Sequence, residues 1–245
     1  EQAVAFCATH DFAGVRALLR RVRAHLGSAL SAFEVLWRGY YTAYATLGKG
    51  ALPLPDRHAF YVLLEASGSA EEARAQRLER VLGEALEAGE IDDVVVAQSG
   101  AQGAALWAMR DAAIEVSRTL DPIVPFDVSL PVSGMEDFVA DMRERLAAID
   151  PRCESIVFGH VGDGNLHIGV HRPPDVAEGY DAITRTVYDA VARHAGSVSA
   201  EHGIGILKRD YLGHTRGAAE IALMRGLKRT LDPKNILNPD RILGR

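Results

Sequence analysis

Apolar residues recur along this chain with two different periods, and the periods take turns. Ala3–Thr9 (AVAFCAT) is a continuous apolar run of strand length. Val15, Leu18, Leu19, Val22 and Leu26 then share one face at helical spacing, with Gly27 as a stop. Leu30–Trp37 (LSAFEVLW) predicts a second strand, Gly48–Arg57 a Gly/Pro-rich loop, and His58–Ala66 (HAFYVLLEA) a third strand. Ser69-Ala-Glu-Glu72 has the spacing of a capping box, whose side chains satisfy the free amides of a helix start. Asp92–Gln98 predicts a fourth strand, Ala101–Arg118 a helix, and Pro125–Pro131 (PFDVSLP) a fifth strand. Ser133-Gly-Met-Glu136 predicts another capped helix, with Met135, Phe138, Val139, Met142 and Leu146 on one face. Cys153–His160 (CESIVFGH) and Leu166–Arg172 (LHIGVHR) read as a hairpin around a turn of Gly, Asp and Asn. A helix over 177–194, a short strand over 197–200 and a last helix lead into LDPKNILNPDRIL, where Pro233 and Pro239 enforce irregular chain.

Hairpins and short connections mixed with single helices predict an α+β fold. Its sheet is largely antiparallel with flanking helices, arranged as ferredoxin-like β-α-β blocks side by side in one domain over 1–245.

Composition narrows the function classes. The 245 residues are 48% apolar, enough for a sizeable core. Lys and Arg number 27 against 33 Asp and Glu, a net charge of -6 that disfavours nucleic acid. Two distant cysteines, Cys7 and Cys153, make no disulfide framework and fit a reduced, cytoplasmic setting. No apolar run is long enough to predict a membrane span. The chain opens directly on a strand without an initiator Met, so an upstream part is expected.

Five of nine histidines, His160, His167, His171, His194 and His202, fall within 43 residues. His160 ends one hairpin strand and His167 begins the next, which can bring both imidazoles to one rim. With Glu201 they make a His₂-carboxylate set for a divalent metal, leaving coordination positions open. Ordinary polar turn residues are the competing interpretation. Gly162 and Gly164 can take positive φ, and Asp163 and Asn165 tolerate such turns. GDGN has neither the glycine spacing nor the lysine of a nucleotide-binding loop. His202 suits a general base, because an imidazole titrates near working pH. Neighbouring Glu201 and His202 can face one site only if the chain bends, which Gly203 and Gly205 permit. Arg110 has the planar fork for a carboxylate, although a solvated or salt-bridged arginine is the commoner role. His171 and His194 are read as structural.

GHVGDGNLHIGV, SAEHGIGILKRDYL and LDPKNILNPDRIL, in this order and spacing, resemble the C-terminal region of FAD-linked oxidases of the vanillyl-alcohol-oxidase type. The branch is that of D-lactate, D-2-hydroxyglutarate and glycolate dehydrogenases. LSAFEVLW, LWAMR and PFDVSLP extend the resemblance over nearly the whole chain. It implies that His160, His167 and Glu201 hold a divalent metal, often zinc, and that His202 removes the hydroxyl proton of a 2-hydroxy acid. It implies that Arg110 binds the substrate carboxylate, with Asn165 as a further substrate-binding residue. Asn238, in the LNP segment, is the expected cofactor contact. Two positions depart from relatives that oxidise D-2-hydroxyglutarate: Pro125 stands in place of a lysine, and Ile114 in place of a hydroxyl residue. A smaller or more apolar 2-hydroxy acid is therefore expected. FAD is expected to be held mainly by a separate N-terminal FAD-binding domain, so this chain alone should be colourless and inactive. An electron acceptor and a second copy of the chain in a homodimer are further expected partners. A metal-dependent hydrolase and a non-catalytic metal-binding module are the alternatives.

Overall fold

Gln2–Thr9 forms β1, and the next helix starts where Asp11 can cap it. Its backbone is extended, and its carboxylate accepts the Gly14 N–H at 2.7 Å to open α1 (Phe12–Leu26). Gly27 ends α1 at φ 54, a conformation costly for a residue with a Cβ. The computed structural model describes the backbone of residues 2–68, 71–176 and 179–244 and, apart from residues 71–74, their side chains. The other strands are β2 (Leu30–Trp37), β3 (Phe60–Ser67), β4 (Asp93–Val96), β5 (Ile123–Ser129), β6 (Ser155–Gly159) and β7 (Asn165–His171). The helices that follow α1 are α2 (Arg38–Thr46), α3 (Glu71–Glu87), α4 (Gly100–Asp111), α5 (Ala113–Arg118), α6 (Met135–Ile149), α7 (Gly179–Arg193) and α8 (Ala218–Leu231).

The strands form one antiparallel sheet of order β4-β1-β3-β2-β6-β7-β5. This is the expected α+β architecture. The order is that of two ferredoxin-like blocks joined edge to edge. Strands β1 to β4 with α1 and α3 make the first block, and β5 to β7 with α6 and α7 make the second. The seam is the short pairing of Val35 with Gly159 and Leu36 with Phe158.

Strand alternation sends side chains into two cores, one on each face. Phe33, Val35 and Trp37 of β2 join the first core with the inner faces of α1, α3, α6 and α7. The expected stripe of α6, Met135, Phe138, Val139, Met142 and Leu146, is buried there, each side chain contributing about 1.5–3 kcal/mol. Leu36, Tyr61, Leu63 and Phe158 point the other way, under Tyr40 and Tyr41 of α2, Leu106 and Met109 of α4, and Val116 of α5. The candidate site residues lie on the second face.

Several elements differ from expectation for identifiable reasons. Helix α2 was not anticipated: it is short, and its signal is three tyrosines, Tyr40, Tyr41 and Tyr44, buried together. The helix expected over Ala101–Arg118 breaks at Ala112. The Tyr40 hydroxyl contacts the carbonyls of Met109 and Arg110 at 2.9 Å each, and a continuous helix would need both as acceptors. Ser133 does not cap α6. It lies in a 3₁₀ turn, Gly134 takes the cap position, and Glu136 and Asp137 supply negative charge to the first turn. The strand expected over 197–200 is reduced to one bridge, Ser129 to Ser197. The cap at Ser69 and the start of the helix at 177 lie outside the described residues.

Candidate functional site

Antiparallel register lays a row of side chains across the second face. Asp127 on β5 pairs with His167 on β7, His167 with Phe158 on β6, and Phe158 with Leu36 on β2. Two positions back along β2, the register brings Glu34 opposite His160, just beyond the Val35–Gly159 pair. Glu34 and Asp127 are both buried, each the one charged residue of its strand, where an unpartnered carboxylate costs several kcal/mol. Each is partnered, and the partners are the site.

Glu34 hydrogen-bonds His160 Nδ1 through one oxygen and accepts Arg110 Nε at 3.0 Å through the other. Arg110 Nη2 lies 3.0 Å from His160 Nε2, and Glu201 Oε1 lies 3.6 Å from the same nitrogen. The rings of His160 and His167 meet edge to face, centroids 5.3 Å apart. One donor atom from each of His160, His167 and Glu201 falls within 4.8 Å of the others. Burial, then the neighbouring His160, hold the His167 pKa below the ordinary imidazole range, which favours the neutral form that a metal requires. Asn165 is buried at the start of β7 and donates from Nδ2 to Glu201 Oε1 at 2.6 Å. Two imidazoles and one carboxylate are a donor set that fits a zinc-like cation with open positions.

Asp127 organises the other side. Its Oδ2 accepts the backbone N–H groups of Glu201 at 2.9 Å and His202 at 3.0 Å, so two adjacent residues are held over one carboxylate. The expected bend follows, with Gly203 at φ 72 and Gly205 at φ 56. His202 Nδ1 lies 3.6 Å from the same oxygen, and its ring is 70% exposed. Lys208 Nζ lies 3.7 Å away and donates to the Asp127 carbonyl at 3.1 Å. Burial raises the Asp127 pKa, but the N–H groups of His202 and Glu201 and the Lys208 charge outweigh it, holding the carboxyl below its usual range. The second oxygen, Oδ1, is buried without a hydrogen bond, 3.9 Å from His167 Nδ1.

The hairpin turn depends on two close approaches. Gly164 takes φ 78, and a Cβ there would sit 2.9 Å from the Leu130 carbonyl oxygen; Gly162 does not use positive φ. A Cβ on Gly159 would meet the Asn165 carbonyl oxygen at 2.4 Å.

Two clefts flank these residues. One of about 1140 Å³ is lined by Asp127, Phe158, His167, His202, Tyr188 and Lys208 among others, and one of about 530 Å³ includes Glu34, Trp107, Arg110 and His160. His160, His167, Glu201, Arg110, Asn165 and His202 are thus brought together. Asn238 is not: it is exposed in the tail after α8, at φ 46, without a hydrogen bond to the site. His171 and His194 are structural, the first on the Leu120 carbonyl at 2.8 Å and the second 3.4 Å from Asp141. Sequence reasoning missed Glu34, Asp127 and Lys208. The available signal was a single acidic residue inside each apolar strand, in LSAFEVLW and PFDVSLP.

Residues 1–242 match the family model of FAD linked oxidases, C-terminal domain. The chain is 34% identical over 241 residues to D-2-hydroxyglutarate dehydrogenase, mitochondrial, of Arabidopsis thaliana, covering 98% of this chain and 43% of that protein. It is 39% identical over 242 residues to D-2-hydroxyglutarate dehydrogenase of Xanthomonas citri pv. viticola, covering 94% of this chain and 48% of the relative. It thus spans less than half the length of these relatives. Among solved structures it is similar in fold to p-cresol methylhydroxylase with substrate bound, at TM-score 0.69 and 12% identity, covering 100% of this chain and 53% of that one. With the match running through the hairpin, the Glu201–His202 bend and α8, the chain belongs to the family of FAD linked oxidase C-terminal domains.

Proposed function

We propose that this chain is the substrate-binding and catalytic domain of a flavin-dependent 2-hydroxy acid dehydrogenase. The observation that carries the reading is the convergence of His160, His167 and Glu201 beside Arg110 and His202 on one face of the sheet. When bound, a divalent cation at the three donors supplies Lewis-acid polarisation of a substrate hydroxyl. FAD, held mainly by another part of the protein, supplies the hydride acceptor. Arg110 offers its fork to the substrate carboxylate, anchored from behind by Glu34. Asn165 holds the Glu201 carboxylate in place. His202 takes the hydroxyl proton at Nε2, with Nδ1 turned toward Asp127.

The exposed leucines of α8, Leu223, Leu227 and Leu231, share one helical stripe, and the segment after the helix exposes Ile236 and Leu237. They support docking against a further protein surface, the FAD-binding part. Asn238 follows Leu237 directly in the chain and remains the proposed cofactor contact. Pro125 and Ile114 line the larger cleft beside Arg118, Lys208 and Arg241; the apolar pair supports a monocarboxylate over a distal carboxylate held at those two positions. Among the described residues no helix is long and apolar enough to cross a membrane. Cys7 and Cys153 are buried free thiols, which supports a reducing compartment such as the cytoplasm, while the Arabidopsis relative carries "mitochondrial" in its name.

The test uses the longer natural flavoprotein, mixed anaerobically with a panel of 2-hydroxy acids. Flavin bleaching is expected, faster with a 2-hydroxy monocarboxylate than with 2-hydroxyglutarate. Failure of every 2-hydroxy acid to reduce the flavin would sink the reading. His202→Ala should slow bleaching by about 10²–10⁴.

A further inference from the structure

The tautomer of neutral His160 follows from the two groups within hydrogen-bond reach of its ring nitrogens. A carboxylate only accepts and a guanidinium only donates. Glu34 contacts Nδ1, so that nitrogen carries the proton; Arg110 Nη2 lies 3.0 Å from Nε2, so that nitrogen carries the lone pair. The same Nε2 is the one approached by Glu201 at 3.6 Å. Glu34 is nearly sealed from solvent, its side chain 5% exposed, and its second oxygen holds Arg110 by Nε at 3.0 Å. A single buried carboxylate therefore grips one group proposed for the cation and one proposed for the substrate anion.

We propose that Glu34 is the positioning residue of this site. It locks His160 in the tautomer that presents Nε2 to a metal, and it holds Arg110 by Nε so that the remaining guanidinium nitrogens can serve an anion. Because one lone pair serves one partner, cation ligation at His160 releases the Nη2 donor of Arg110 while Nε stays on Glu34. The residue acts through its two partners and touches no reacting atom. The inference rests on the metal and arginine roles given under Proposed function, and it adds what makes them act as one unit.

Two measurements on this chain, and one on the longer flavoprotein, test it. Long-range ¹H–¹⁵N NMR of the metal-free wild type reads the His160 tautomer directly. A proton on Nδ1 is expected, and a proton on Nε2 overturns the proposal whether or not any variant folds. Zinc titration by calorimetry should show Glu34→Gln, a near-isosteric change checked by circular dichroism, binding roughly 10–100-fold more weakly than wild type. Equal zinc affinity overturns it. If the wild type itself takes up no zinc, the metal reading falls instead, and the tautomer measurement decides the role of Glu34 alone. In the longer flavoprotein at saturating zinc, Glu34→Gln should raise KM for the 2-hydroxy acid through the loosened Arg110. An unchanged KM overturns the second half of the proposal.

Discussion

The two blocks of the sheet share a plan and differ at one strand. In the first block β4 completes the pattern: Ala5, Phe6, Cys7 and Ala8 of β1 pair with Val96, Val95, Val94 and Asp93, so backbone satisfies backbone. In the second block the corresponding strand contracts to the single bridge between Ser129 and Ser197. The chain then leaves the sheet, and the N–H groups of Glu201 and His202 find the Asp127 carboxylate in place of a strand carbonyl. A side chain can hold two consecutive N–H groups that a strand ladder would point in opposite directions. The missing strand is thus what lets Glu201 and His202 face the histidine hairpin together.

The comparison breaks most clearly at Asp127. Asp127→Ala leaves the N–H groups of Glu201 and His202 without their acceptor and removes the carboxylate beside Lys208, which keeps its bonds to the residue-127 carbonyl and Ser199 Oγ, and should cost about 2–4 kcal/mol in chemical denaturation. Val95→Ala in β4 removes only packing from a strand whose ladder survives, and should cost about 1 kcal/mol. Similar losses from the two substitutions would mean that the carboxylate does not replace the strand.

Glycines sharpen the same contrast. Gly159→Ala drives a Cβ against the Asn165 carbonyl oxygen, at the hairpin that carries His160 and His167. About 1–3 kcal/mol of overpacking is expected together with weakened zinc binding. Gly27→Ala in the first block meets nothing within 4 Å but keeps φ 54, so about 1–2 kcal/mol of backbone strain is expected with zinc affinity unchanged. Parallel denaturation and zinc titration of both variants check this.

The same asymmetry explains what was legible in the sequence. Strands β1, β2, β3 and β7 announce themselves because an apolar run is a local property, and so does the stripe of α6. His160, His167 and Glu201 were legible through motif and spacing. Glu34 and Asp127 were not, because their value comes from register: Glu34 lies 126 residues from His160 and Asp127 lies 75 from His202. The break at Ala112 was hidden for the same reason, since Tyr40 reaches it across 69 residues to Met109. Neither propensity nor periodicity carries such long-range hydrogen bonds.

The smallest expected effect is a pH dependence confined to acid. Asp127 is held below its ordinary pKa by the N–H groups of His202 and Glu201 and by Lys208, against the opposing cost of burial. A carboxyl whose folded pKa is depressed contributes stability that is fully present above the unfolded value, near about 4. That contribution is lost as pH falls through the folded value. From neutrality down to about pH 5 the group should therefore leave stability unchanged, and below about pH 4 it should erode it. Asp127→Asn keeps the shape and one acceptor, lowers stability at neutral pH, and should flatten this acid limb. Urea midpoints of both proteins between pH 3 and 7 check it. A variant whose midpoint falls in parallel with the wild type below pH 4 would place the acid sensitivity elsewhere, with the paired carboxyl Asp150, held at about 2 by Arg152, as the next group to substitute.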